Sequence, residues 1–219
     1  MTDLVILDLD GTLAHTVPGI AHAVGVALSQ LGLPVPDAQA VQSNIGGGAR
    51  ELIENLVRLA EPPPREAGQL AQEALAIFSA YYNAHADIDT ELYPGVRETL
   101  TELHTRAKLA VATAKTRAGT MRIFERRGLA DCFDRVVTAS EMAKPKPDPW
   151  CLLDILQHLN IPAGKAIYVG DTPSDAHCAQ AAGVEFWLAA YGYGYERALP
   201  LGLHSRVITS FTQLKEITN

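Results

Sequence analysis

The chain reads as an α/β protein: a parallel sheet covered by helices on both faces, with an all-helical segment inserted after the first strand. Three features of its 219 residues predict this. Short apolar runs that do not alternate with polar residues recur after Tyr93. Each is followed by helical periodicity, the pattern of parallel strands buried on both faces. A run of the same kind, Leu4–Leu7, stands by itself near the start, and the block between shows helical spacing and no convincing strand.

Taken in order, Leu4–Leu7 is a buried strand whose carboxyl end meets Asp8, and the Gly11 region supplies a turn. Ile20, Val24, Leu28 and Leu31 recur at helical spacing up to Gly32 and Pro34. Leu52, Ile53, Leu56 and Val57 form a second stripe, ended by Pro62-Pro63-Pro64, and Leu70, Ala74, Phe78 and Tyr81 form a third. Pro94-Gly95 then opens a helix carrying Val96, Leu100 and Leu103, a usual start signal. A strand over 109–113 follows, then a helix with Met121 and Phe124 that stops at Gly128, and a short strand over 135–138. Next come a helix with Leu152, Leu156 and Leu159, the strand Ala166–Gly170, and an Ala-rich helix stopped by Gly183. Weaker strands over 185–188 and 206–208 and a short helix close the chain. The economical division is a core of residues 1–15 and 89–219 with a helical cap of 16–88, joined by two linkers. Paired linkers make a hinge, and open parallel sheets bind ligands beyond the carboxyl ends of their strands. The cleft is expected there.

Composition bounds the function. Eighteen basic against twenty-five acidic residues give a net charge of −7 with no block of like charge, which argues against a general affinity for nucleic acid or anionic membrane. No stretch approaches the ~20 apolar residues of a membrane span. The four-residue apolar run in MTDLVILDLDG is too short for a signal-peptide core. Cys132, Cys151 and Cys178 have no metal-ligand spacing and read as reduced thiols of a cytoplasmic protein. Either a monomer or a homodimer is compatible with these stripes.

Four strand ends carry chemistry. Asp8-Leu9-Asp10-Gly11-Thr12 can aim both carboxylates at one site while Leu9 turns to the core. Carboxylates sharing a site repel unless a cation or a proton intervenes. Thr113-Ala114-Lys115 offers a hydroxyl and backbone N–H groups before a helix, a natural anion site. Lys144-Pro145-Lys146-Pro147-Asp148-Pro149 is a stiff loop able to hold an ammonium in place, and Gly170-Asp171-Thr172-Pro173-Ser174-Asp175 brings two more carboxylates. Singly, each has a plain reading as a turn, a helix cap or a surface loop. Jointly, anion- and cation-binding groups fall at four strand ends on the one edge where the fold opens.

With DLDGTL at 8–13, an inserted helical block, Thr113, KPKPDP at 144–149 and VGDTPSDAHCAQAAG at 169–183, the chain resembles the haloacid dehalogenase superfamily of phosphohydrolases. The resemblance runs essentially end to end. It is nearest to the branch with a small helical cap that includes phosphoglycolate phosphatases, and Tyr93-Pro94-Gly95-Val96 and Tyr191-Gly192-Tyr193-Gly194 fit that branch. The resemblance implies a Rossmann-like core and a Mg²⁺-dependent phosphatase acting on a small phosphate ester. In it Asp8 is the nucleophile forming an aspartyl-phosphate, and Asp10 is general acid, then base. Mg²⁺ is held by Asp8, the Asp10 carbonyl and Asp171, as suits an oxygen-ligated ion, with Asp175 supporting from behind. Thr113, the Ala114 amide and Gly11 hold the phosphoryl group. Of the two loop lysines the resemblance favours Lys144 as the charge-balancing ammonium, with Lys146 as the alternative.

In the cap, Ile45-Gly46-Gly47-Gly48-Ala49-Arg50 precedes a helix. Gly48 is expected to allow close backbone approach to substrate, and Arg50 to grip an anionic group such as the carboxylate of 2-phosphoglycolate. Two positions depart from the family pattern: His15-Thr16 stands where an Asp-Ser pair is usual, and Ala114 where an Asn is usual. Alternatives within the superfamily are a β-phosphoglucomutase-like phosphotransferase and a pyrophosphatase. A phosphonate hydrolase would need a cap lysine, and residues 16–88 contain none. A non-catalytic phosphate-binding module is the remaining class.

Overall fold

The computed structural model describes residues 2–60 and 66–217; the Pro62-Pro63-Pro64 stop lies outside the described residues. Six parallel strands form the main sheet: β1 (Leu4–Leu7), β4 (Lys108–Ala112), β5 (Arg135–Val137), β6 (Ala166–Gly170), β7 (Glu185–Ala189) and β8 (Arg206–Ile208), in the order β5-β4-β1-β6-β7-β8. β1 and β6 span the residues expected for them, and β4 and β5 each end one residue earlier than expected. β1 is buried throughout and pairs with β4 on one side and β6 on the other, Leu7 lying beside Val111 and Val169. The chain winds outward from β1 through β4 and β5, then crosses back to β6. This reversal about β1 opens a crevice at the carboxyl ends of the central strands.

Side-chain alternation divides the core into two layers. Val5, Leu7, Leu109, Val111 and Val169 face one side, which continues into the helical insertion. Leu4, Ile6, Ala110, Ala112 and Tyr168 face the other, under α7 (Trp150–Leu159) and α8 (Pro173–Ala182). By this parity Leu9 is buried on the first side and Asp8 follows Leu4 and Ile6 on the second. Helices α5 (Val96–Leu103) and α6 (Arg117–Arg127) cover the first layer. Gly128 and Gly183 end α6 and α8 in the left-handed conformation, as their places in the sequence predict.

The helical insertion comprises α1 (Val17–Gln30), α2 (Ala38–Ser43), α3 (Gly48–Arg58) and α4 (Ala67–His85). Helix α2 was not expected; Asp37 caps it by accepting from Ala40 N–H, and only Val41 of it is buried. On α4 the buried residues are Ala71, Ala74, Phe78 and Tyr82, so the third stripe ends on Tyr82 rather than Tyr81. The insertion leaves the core through β2 (Ala14–His15) and rejoins it through β3 (Glu91–Leu92), which pair antiparallel where plain linkers were expected. Its apolar residues join the same cluster as the upper face of the sheet. Among the described residues no helix is long and apolar enough to cross a membrane.

Phe124 ties α6 to this core, fully buried and stacked on Phe133 at 5.1 Å between ring centres. Phe124→Ala is expected to cost about 3–5 kcal/mol of stability through lost burial and the cavity left behind. Urea unfolding checks it: the midpoint falls while the slope stays that of the parent.

Candidate active site

The backbone delivers four carboxylates to one place. Asp8 N–H extends the β1–β6 ladder by bonding Val169 O at 2.9 Å, which holds Asp8 rigidly at the strand end. The chain then turns sharply, with Thr12, Leu13 and Ala14 N–H groups all bonding Leu9 O. Gly11 sits in this turn at φ +86°, and a Cβ there would lie 2.5 Å from Asp171 Oδ2. Its absent side chain is what lets the two strand ends meet. Gly11 itself lies beneath Asp171 rather than on the cleft wall.

Asp171 and Asp175 flank the start of α8. Asp175 completes a reciprocal cap with Thr172: its Oδ2 accepts from Thr172 N–H (3.1 Å) and hydroxyl (2.6 Å), while its own N–H bonds Thr172 Oγ1. Its Oδ1 accepts from Tyr168 OH and from Lys146 Nζ, both at 2.6 Å. All four acceptor positions of Asp175 are thus spent. Asp171 accepts Gly194 N–H on Oδ2 at 2.9 Å and Thr12 hydroxyl on Oδ1 at 3.4 Å. Oxygens of Asp8, Asp171 and Asp175 lie within 4.8 Å of one another.

The ammonium at this cluster belongs to Lys146, not Lys144. Lys146 Nζ has four acceptors within reach of its three N–H groups: Asp175 Oδ1, Asp8 Oδ1 at 2.8 Å, Tyr168 OH at 3.0 Å and Ala112 O at 3.3 Å. The Lys144 side chain is 71% exposed and pairs with Asp148 at 3.5 Å. The spacing Lys-Pro-x-Pro is met twice in KPKPDP, from 144 and from 146, so the motif alone has two registers. Anchoring the second at Pro149, where α7 begins, selects Lys146.

Electrostatics follow from burying these groups together. Burial pushes the Asp8 carboxyl up to about 7, with Lys146 opposing and Asp175 and Asp10 adding repulsion. Burial, then the charges of Asp175 and Asp8, hold Asp171 well above the usual carboxylate range. Asp175 is the exception: burial would raise it, but Lys146 and its hydrogen bonds keep it low. Lys146 stays protonated because Asp175 and Asp8 outweigh its burial.

Asp10 faces the same cleft. Its Oδ1 takes the Thr16 hydroxyl at 2.6 Å and lies 2.9 Å from Lys115 Nζ. Four carboxylates, of Asp8, Asp10, Asp171 and Asp175, are therefore met by two ammonium groups, Lys115 and Lys146. When all four are ionised they exceed the two ammonium groups by two charges, the balance a divalent cation would supply; without a cation, the raised Asp8 and Asp171 favour holding protons instead. Asp8 and Asp171 have oxygens to offer it; Asp175 does not, its oxygens being taken. Thr113 is fully buried, its N–H continuing the sheet to Val137 O and its hydroxyl accepting Lys115 N–H at 3.2 Å. The Ala114 N–H next to it has no partner among the described residues.

The cleft, about 680 Å³ in part open to solvent, runs from Asp8 and Asp10 past Ala114 to the insertion. There Ile20, Ile45, Gly48, Leu52, Phe78 and Tyr82 line it. Gly48 therefore lies at the cleft. Arg50 does not: its side chain is 70% exposed and pairs with Glu54 one turn along α3. His15 is exposed at the root of the insertion, its Nδ1 3.1 Å from Tyr193 OH. The Tyr-Gly-Tyr-Gly segment braces that root. Tyr193 OH accepts Thr16 N–H at 2.6 Å, Tyr191 OH donates to Thr12 O, and a Cβ on Gly192 would lie 2.2 Å from Asp171 Cβ. Sequence reading gave no role to Lys115, Thr16, Tyr82 or Tyr168. Lysine directly after the Thr113 strand end was the available signal; the others reach the site only through the tertiary fold.

Comparison with known proteins points to one family. The family model of haloacid dehalogenase-like hydrolases matches residues 5–189. A phosphoglycolate phosphatase of Pseudomonas savastanoi pv. phaseolicola is 34% identical over 197 residues, covering 90% of this chain and 72% of that protein. One from Nitrosococcus oceani is 30% identical over 217 residues, covering 98% and 96%. A crystal structure from Haemophilus somnus, described as a predicted phosphoglycolate phosphatase, superposes with a TM-score of 0.92 at 26% identity, covering 100% of this chain and 98% of that one. With its sheet order, its acidic strand ends and this match over most of its length, the chain belongs to the haloacid dehalogenase-like hydrolases.

Proposed function

We propose that the protein is a Mg²⁺-dependent phosphatase that hydrolyses a small phosphate monoester through an aspartyl-phosphate on Asp8. The observation that carries this reading is the cluster of three buried carboxylates at the ends of β1 and β6 with one ammonium among them, which when ionised calls for two more positive charges. Asp8, Asp171 and the main-chain carbonyl of Asp10 would hold the ion. Mg²⁺ takes oxygen ligands and substrate phosphate and supplies positive charge against the phosphoryl oxygens. The relatives named phosphoglycolate phosphatase support a small substrate, with the helical insertion acting as its cap.

The residues of the chain then divide the work. Asp8 uses an oxygen to attack phosphorus while the bond to the leaving oxygen breaks, and Asp10 gives that oxygen its proton. Water next attacks the aspartyl-phosphate, Asp10 takes its proton, and Asp8 and inorganic phosphate are released. Lys146 holds Asp8 by one oxygen and neutralises part of the phosphoryl charge. Uncatalysed phosphate monoester hydrolysis is among the slowest biological reactions, so fixed charge and position must carry most of the acceleration. The unpartnered Ala114 amide beside Thr113 suits a phosphoryl oxygen.

Phosphate release from a panel of small esters tests the reaction: turnover needs Mg²⁺ and is lost in Asp8→Asn, and a folded protein with no turnover on any ester refutes it. Lys146→Ala should lose roughly 10²–10³ in kcat, as removal of a preorganised charge does, whereas Lys144→Ala keeps the parent rate; the reverse ranking would restore Lys144. Melting curves of both variants belong beside the kinetics, because Lys146→Ala also leaves two buried carboxylates unpaired.

The cation site makes a pH prediction. With its pKa raised from 3.8 to about 7, Asp8 stabilises the metal-free fold fully below about pH 4, and that contribution is lost as pH rises through 7. Mg²⁺ competes with the same proton. The rise in melting temperature on adding Mg²⁺ should therefore grow between pH 6 and pH 8, and a shift independent of pH would place the ion elsewhere.

A further inference from the structure

Lys115 is not accounted for by phosphoryl binding or by the cation site. Its side chain is 3% exposed although it follows a strand end beside an open cleft. Burying an ammonium costs several kcal/mol unless good partners replace its water, and Lys115 has two. Nζ lies 2.9 Å from Asp10 Oδ1 and donates to the Tyr82 hydroxyl oxygen at 2.7 Å, 4.4 Å from the ring centre. Burial alone would lower its pKa, but Asp10 and then Tyr82 outweigh burial and keep it an ammonium.

The two partners belong to different parts of the fold. Asp10 is in the turn after β1. Tyr82 is on α4 of the insertion, stacked on Phe78 at 5.3 Å. The Tyr82 contact exists only while α4 is seated on the core, and its neighbours seat it: Thr116 donates to Asn83 Oδ1 at 2.5 Å, and Arg122 pairs with Asp87. At Asp10, Lys115 and the Thr16 hydroxyl both meet Oδ1. Two donors on one oxygen fix the rotation of the carboxyl group and leave Oδ2 as the oxygen without a partner among the described residues.

We propose that Lys115 is a positioning residue for Asp10: held by Tyr82 of the seated cap, its ammonium fixes the carboxyl group with Oδ2 towards the leaving oxygen, so that proton delivery depends on cap closure. This rests on Asp10 being the general acid. As the phosphorus–oxygen bond breaks, the proton moves from Oδ2 to the leaving oxygen and Asp10 becomes the carboxylate that Lys115 faces. Lys115 keeps its own protons throughout.

The test is kcat/KM with Mg²⁺, which reports the step that expels the leaving group, on nitrophenyl, phenyl and alkyl phosphates, for the parent, Asp10→Asn, Lys115→Met and Tyr82→Phe. Proton delivery matters more as the leaving oxygen becomes more basic, and a general acid contributes about 10²–10⁴-fold. Lys115→Met should therefore lose at least ~10-fold more kcat/KM on the alkyl ester than on the nitrophenyl ester. Tyr82→Phe should show the same grading, more weakly. A loss of equal size on every ester, or no loss, overturns the proposal while graded loss in Asp10→Asn keeps Asp10 as the acid. Ungraded loss in Asp10→Asn overturns the acid assignment itself. If melting shows Lys115→Met unfolded, Tyr82→Phe, which keeps the ring, decides by the same criterion.

Discussion

Negative charge buried in excess at the ends of two adjacent parallel strands is the constraint around which the rest of this molecule is arranged. Asp8 ends β1, and Asp171 and Asp175 follow β6, with oxygens within 4.8 Å of one another. Such a cluster is unfavourable by itself, and each nearby feature offsets part of that cost. Lys146 bridges Asp8 and Asp175, Tyr168 rises from the same face of the sheet to donate to Asp175, and Thr172 closes the cap of α8 on its other oxygen. Gly11 and Gly192 allow Asp171 to sit where any side chain would collide. What these contacts leave unpaired falls on Asp8 and Asp171, whose carboxyl groups are pushed up by burial and by their neighbours' charge, so that the cluster must take up either protons or a cation.

The same constraint explains how the helical insertion is held. Asp10 is the carboxylate nearest the entrance, and its partners come from outside the sheet: Thr16 at the start of the insertion and Lys115 after β4. Tyr193 clamps Thr16 by its amide, and Tyr82 meets Lys115 from α4. The start of the insertion therefore touches this carboxyl group directly through Thr16, and α4 reaches it through Lys115. Apolar packing continuous with the core supplies adhesion, while these polar contacts register the insertion against the reacting atoms.

Much of this was legible in the sequence, for identifiable reasons. Strands buried on both faces must be apolar without alternation, so Leu4–Leu7 and Ala166–Gly170 were readable to the residue, and Leu9 was correctly turned inward between two aspartates. Helix ends marked by Gly128 and Gly183 were equally plain because each takes the left-handed conformation. The two-residue pair β2–β3 was not legible: its hydrogen bonds join residues far apart in the chain, and two residues carry no period. Helix α2 has a single buried residue and so no stripe. Tyr82 and Tyr81 are adjacent on a helix that is apolar over much of its circumference, and only the tertiary packing, which buries Tyr82 against Phe78 and Lys115, distinguishes them.

The exchange of Lys144 for Lys146 shows where such reading stops and why. Both lysines precede a proline, and both satisfy the same spacing. Which one turns inward is decided by the desolvation balance, since an ammonium stays buried only where carboxylates replace its water. At 146 two carboxylates, a phenol and a carbonyl are within reach; at 144 there is one half-exposed aspartate. Arg50 obeys the same rule in the opposite sense: the insertion presents apolar side chains to the cleft, so its guanidinium stays in water beside Glu54. Sequence places charged residues near a site; the partners available at each position decide which of them enter it.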